Sequence, residues 1–171
     1  MLKRAVLALI LATALGTTIV ACGSDSKTVD TKDGKVTVNG DGKDAKVTVK
    51  GKDNASFTFN QGSVPDGFPS EVPLPKGLKL KTGAGGSKGA KQFFTLGYGL
   101  GSKRASDALS DYKDQLESAG FTIKDGGSLS NSGGSFQSLQ ATGNGWTVIA
   151  SSIAGGSGDT AVMSVIVSSE T

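Results

Sequence analysis

Three short runs, Val36-Thr37-Val38, Val47-Thr48-Val49 and Phe57-Thr58-Phe59, alternate apolar and polar side chains at spacings of 11 and 10 residues. Between them lie Asn39-Gly40-Asp41-Gly42 and Gly51-Lys52-Asp53-Asn54, rich in residues that tolerate positive φ. Period-two alternation bounded by such turns predicts a three-strand β-meander over residues 35–62. Each run buries only two side chains, so the meander needs a surface to lie against.

Alternation returns at Gln92–Leu100, with Phe94, Leu96, Tyr98 and Leu100 on one face of a strand. The period then lengthens to that of a helix. Ala105, Ala108, Leu109, Tyr112, Leu116 and Ala119 share one stripe of a helix expected over Lys103–Ala119. Ser102 is the expected N-cap, and Gly120 the left-handed residue that ends the helix. A strand begins at Phe121 and Ile123, and another covers Phe136–Thr142. After the Asn144-Gly145 hairpin signal come Trp146–Ile153 and Thr160–Ser168. The predicted fold class is α+β: one helix packed on an antiparallel sheet in the order β-α-β-β-β-β, preceded by the short meander.

The stretch 63–90 reads as a Pro/Gly-rich connection. All four prolines fall between Pro65 and Pro75, where fixed φ and missing donors call for extended, irregular chain. Thr82–Ala90 (TGAGGSKGA) reads as a Gly-rich loop.

The N-terminus has a different pattern. Lys3 and Arg4 precede an apolar run, Ala5–Leu15, of 11 residues whose one polar member is Thr13. That length suits a secretion signal and falls short of the roughly 20 residues a bilayer-spanning helix needs. Ile19-Val20-Ala21-Cys22 follows. This segment resembles the lipobox of bacterial prolipoproteins. The resemblance implies that the Cys22 thiol carries a diacylglyceryl group, that cleavage falls between Ala21 and Cys22, and that the mature chain is held on the extracytoplasmic face of a cell membrane. Phe68-Pro69-Ser70-Glu71-Val72-Pro73-Leu74-Pro75-Lys76-Gly77 resembles a Phe-Pro-x-x-Val-Pro-x-Pro-x-Gly opening of small, especially actinobacterial, lipoproteins, and implies a domain start rather than an activity. The expected organisation is thus a signal peptide (1–21), lipidated Cys and flexible tether (22–34), meander (35–62), connection (63–90) and α+β domain (91–171).

Composition narrows the chemistry. Removing Lys3 and Arg4 from 18 basic residues leaves 16 against 15 acids, dispersed rather than clustered, which argues against nucleic acid as a partner. The chain has no His, which removes His-based nucleophilic catalysis and His-ligated zinc. Its single Cys is committed to lipid if the lipobox is used, so no thiol chemistry remains. No cofactor motif is present: Gly83–Gly89 lacks the phosphate-loop spacing, and Tyr98-Gly99-Leu100-Gly101 lacks the third Gly and the βαβ context. The turns Asp30–Gly34 and Asn39–Asp44 lack the closing Glu and the full ligand set of a calcium loop. Asp107, Asp111, Asp114 and Glu117 read as the solvated side of the helix.

Both faces of the last two strands are apolar. Trp146, Val148 and Ala150 oppose Ile149 and Ile153, while Ala161, Met163, Val165 and Val167 oppose Val162 and Ile166. One helix covers one face, so the meander is expected to cover the other. A ligand or partner face is expected among Trp146, Ile149, Ile153, Val162 and Ile166. The function expected is that of a non-enzymatic, membrane-anchored envelope protein that binds an envelope protein or an apolar ligand. The alternative is a lipid carrier with a cavity between helix and sheet, and less favoured still is a carboxylate-based cell-wall hydrolase.

Overall fold

The computed structural model describes residues 26–32, 34–40, 45–51, 55–131, 134–155 and 161–170. The predicted signal, its cleavage site at Ala21 and the anchor Cys22 lie outside them. The described strands are β1 (Lys27–Thr31), β2 (Gly34–Asn39), β3 (Lys46–Gly51), β4 (Ser56–Gln61), β5 (Lys79–Lys88) and β6 (Lys91–Gly99), then β7 (Thr122–Asn131), β8 (Gly134–Gly143), β9 (Trp146–Gly155) and β10 (Val162–Ser169). The helix α1 (Ala105–Ser118) stands between β6 and β7.

All ten strands form one antiparallel sheet in the order β1-β2-β3-β4-β5-β6-β10-β9-β8-β7. The α+β class and the helix on an antiparallel sheet are as expected. The element order is not: two further strands, β1 and β5, join the predicted set. Lys27–Thr31, expected in the tether, is an edge strand, and its single apolar side chain, Val29, gave no alternation to detect.

Residues 79–88, which overlap the loop expected over Thr82–Ala90, form a central strand because aromatic rings occupy the space its glycines leave. A Cβ on Gly85 would sit 2.7 Å from Phe94 Cδ1 and 3.0 Å from Pro65 Cβ. On the opposite face a Cβ on Gly86 would sit 2.5 Å from Phe93 Cζ. Phe93 and Phe94 thus supply the apolar cover that β5 lacks in its own sequence.

The meander is also placed differently. It does not fold over the second face. It extends the sheet edge to edge through β4–β5, from Gln61↔Thr82 to Ser56↔Ser87. The proline-rich segment is consequently internal, a strap between two strands that pair with each other. Its buried Pro65, Pro69, Val72 and Pro75 lie on the same side of the sheet as α1. Phe68 meets Phe94 edge-on at 5.5 Å. Tyr112 Oη donates to the Pro73 carbonyl at 2.9 Å, and the Lys76 amide donates to Gln115 Oε1 at 3.2 Å.

The helix buries Ala105, Ala108, Leu109, Tyr112 and Leu116, the predicted stripe, against Leu96, Val148, Ala150, Met163, Val165 and Val167. It begins later than predicted, with Arg104 rather than Ser102 as N-cap and no side-chain cap bond. Its end is as expected. Gly120 has φ +85°, its N–H donates to the Glu117 carbonyl, and the Phe121 N–H donates to the Leu116 carbonyl at 3.0 Å. These are the two bonds of a Schellman cap, and they satisfy carbonyls the helix leaves open. The Asn144-Gly145 turn likewise has positive φ at both residues, 54° and 80°, as a tight hairpin requires.

Candidate functional site

Strap and helix cover one face of the sheet. Among the described residues, nothing covers the other. Cross-strand partners share a face, so the register traces an unbroken row across ten strands: Lys27, Val38, Val47, Phe59, Ala84, Thr95, Ile166, Ile149, Gln140 and Lys124. On one side of it run Val29, Val36, Val49, Phe57, Gly86 and Phe93, continued by Ser168 and three threonines. On the other, Val162, Ile153, Phe136 and Leu129 form a third apolar row at the far half of the sheet.

These side chains are too exposed for a packed interior. Ile149 is 42% accessible, Ile153 47%, Val162 46% and Ile166 43%, whereas Val148, Ala150 and Val165 on the covered face are 0% accessible. Phe57 and Phe93 stack on one another over Gly86 with centroids 6.4 Å apart. Ile149, Ile153, Val162 and Ile166, four of the five expected binding residues, therefore meet on one surface. Trp146 does not join them. Two residues before Val148, it points to the helix side and packs on Phe94 at 6.1 Å, as a lid on the core. The face also takes in Phe57 and Phe59, expected in a meander packed over it, and Phe93, which lies outside the predicted apolar stripe of its own strand. Their alternation was visible, but not which strands they would lie beside.

The sheet edges are poor docking sites by comparison. The β1 edge is a short strand with Lys27 and Asp30 among its five exposed residues. The β7 edge is broken by a register shift between Asp125 and Ser128. Charge and bulges are the devices that blunt edge pairing. They leave the face as the accessible apolar surface.

Among the described residues, the helix–sheet interface, where the lipid-carrier alternative would place a cavity, is packed. Tyr112, Leu116 and Leu96 fill that interface at 0% exposure. Open grooves of about 320 and 460 Å³ flank the N-terminal half of α1. A concavity of about 690 Å³ lies within the strap around Phe68, Pro69, Val72 and Leu74.

The acids on α1 are largely neutralised by their neighbours. A guanidinium fork from Arg104 reaches both Asp107 oxygens at 2.9 and 3.1 Å and holds its carboxyl below the usual range. Lys103 pairs with Asp111, and Lys113 lies 3.9 Å from Glu117. Among the described residues, no three acids converge as metal ligands. Burial is the main cause of the raised hydroxyl pKa of both tyrosines, with Tyr98 pushed up to about 12. Both hydroxyls are therefore held neutral. In comparisons with known proteins, no family model, no curated protein and no solved structure matches the chain.

Proposed function

We propose that the chain is a membrane-anchored, extracytoplasmic binding protein that performs no catalysis, and that the open face of its sheet is the working surface. The observation that carries this reading is the apolar band itself. At about 4.8 Å between strands and 3.3 Å per residue, the face spans roughly 43 by 20 Å, about half of it apolar. A band of that size is comparable with the largest patch a monomer ordinarily exposes, and such patches mark interaction sites. The lipid-carrier alternative draws on the same observation, with the ligand on this face instead of under the helix. The hydrolase reading has little support, since the helix acids are engaged by basic neighbours.

The anchor rests on Lys3-Arg4, the Ala5–Leu15 run and the Ile19–Cys22 segment. Two acyl chains, at about 0.8 kcal/mol per buried CH₂, make such anchoring stable. Cys22→Ser is the direct test. The processed protein should disappear from the membrane fraction. A variant that is still cleaved and still membrane-bound after an alkaline carbonate wash, which strips peripherally held protein, would refute the lipid anchor.

A further inference from the structure

Charge is distributed unevenly between the two sides of the domain. By register, Lys27, Lys79, Lys88, Lys91 and Lys124 belong to the open face, and the stem of Lys81 crosses Gly99 on it. Among the described residues, the acid that reaches this face is Glu170, whose carboxylate accepts a bond from Thr147 Oγ1 at 3.1 Å. The acids of strap, helix and β1 lie on the other side. The face is thus an apolar band with a basic margin.

Chain length adds a constraint. Four residues separate Cys22 from Lys27, the first residue of β1. Five Cα steps reach about 18 Å at most, less than half the width of the sheet. With Cys22 in the bilayer, the β1 edge stays beside the headgroups.

We infer that the open face rests on an anionic phospholipid leaflet, the apolar band meeting the acyl boundary and the lysines the phosphates. This inference rests on the anchor proposed above. A second copy of the chain fits less well, although the area would suffice for a dimer, because two such faces would set basic margins against each other. A lipid surface supplies complementary negative charge, and long Lys stems keep their ammonium groups at phosphate level while the band sinks in.

The test uses the full, processed chain purified from membranes and reconstituted into vesicles. With Cys22 blocked by lipid, Ile166→Cys or the milder Thr95→Cys offers one thiol for an environment-sensitive fluorophore, and Ser110→Cys on α1 is the control. Both face labels should be quenched by brominated acyl chains in vesicles containing phosphatidylglycerol, and the Ser110 label should not. A lysine near such a surface contributes about a fivefold factor, so Lys79→Gln should lower the surface-bound equilibrium by about that much. Equal quenching in pure phosphatidylcholine overturns the inference, as do unquenched face labels. So does contact between labels that grows with protein density, which would assign the face to a second copy. A fluorophore attached at residue 22 is a separate result: it refutes the anchor, whatever the face labels report.

Discussion

Gly85→Ala tests whether residues 79–88 form a strand or a loop, because the two arrangements predict opposite signs. In a mobile loop, replacing Gly by Ala narrows the unfolded ensemble and stabilises by about 0.4–1 kcal/mol. In the strand, the added methyl carbon would sit 2.7 Å from Phe94 Cδ1 and 3.0 Å from Pro65 Cβ. Phe94 is 3% exposed, wedged between Phe68 and Trp146, so its ring has little room to give. Overpacking of that kind costs about 1–3 kcal/mol, partly offset by the 0.5–1 kcal/mol or so that Ala regains over Gly in a strand. A net loss of about 1–2 kcal/mol is expected. Urea unfolding followed by the fluorescence of Trp146, the sole Trp, should show a midpoint lower by on the order of 1 M. Adding Phe94→Leu should recover part of the loss, since the clash is with that ring. An unmoved or raised midpoint would refute the placement of Phe94 and Pro65 over β5, and with it the account of why a Gly-rich segment forms a strand.

Tyr112→Phe should cost about 1 kcal/mol, the usual worth of a buried hydrogen bond, and should make the strap more susceptible to proteases because the Pro73 carbonyl loses its donor. Gly120→Val should cost about 1 kcal/mol or more in thermal melts, since a β-branched residue enters the left-handed region poorly. The alkaline limb should be sensitive to Tyr98. Its folded pKa of about 12 lies above the ordinary 10.0, so the folded state keeps a proton the unfolded state loses. The stability this supplies is complete below pH 10 and lost as pH rises toward 12. Tyr98→Phe should therefore lessen that decline and leave neutral stability unchanged or slightly higher, because the buried hydroxyl bonds to no other group among the described residues.

Features that depend on neighbours in sequence were legible in advance. The α1 stripe, the Gly120 end, the Asn144-Gly145 turn and the three Val/Thr/Phe runs each declare themselves within a dozen residues. Features that depend on distant partners were not. Nothing within 79–88 shows that rings from β6 will fill its glycines. The alternation in β2, β3 and β4 shows that one side must be apolar, but not whether the meander stacks on another sheet or prolongs it. The open face was half legible for the same reason: Ile149, Ile153, Val162 and Ile166 could be read off as surplus apolar positions. Assigning Trp146 to the opposite side required only parity. The contribution of Phe57, Phe59 and Phe93 required the β4–β5 pairing.

The strand order carries a consequence for how the protein reaches its native state. β1–β6 form one run of nearest-neighbour hairpins and β7–β10 another, and the two runs meet along the β6–β10 ladder, from Val162↔Gly99 to Ser168↔Phe93. Every other pairing joins consecutive strands, the longest of them closing over the strap between β4 and β5, whereas this one spans more than sixty residues and carries the largest loop-closure entropy. Two half-sheets should therefore assemble early and separately, each with a raw inner edge, and join late and slowly. Until they do, β6 and β10 are unpaired templates for any neighbouring chain. The hazard in folding this protein thus sits at the middle of the finished sheet, in strands that are among its best protected once assembly is complete.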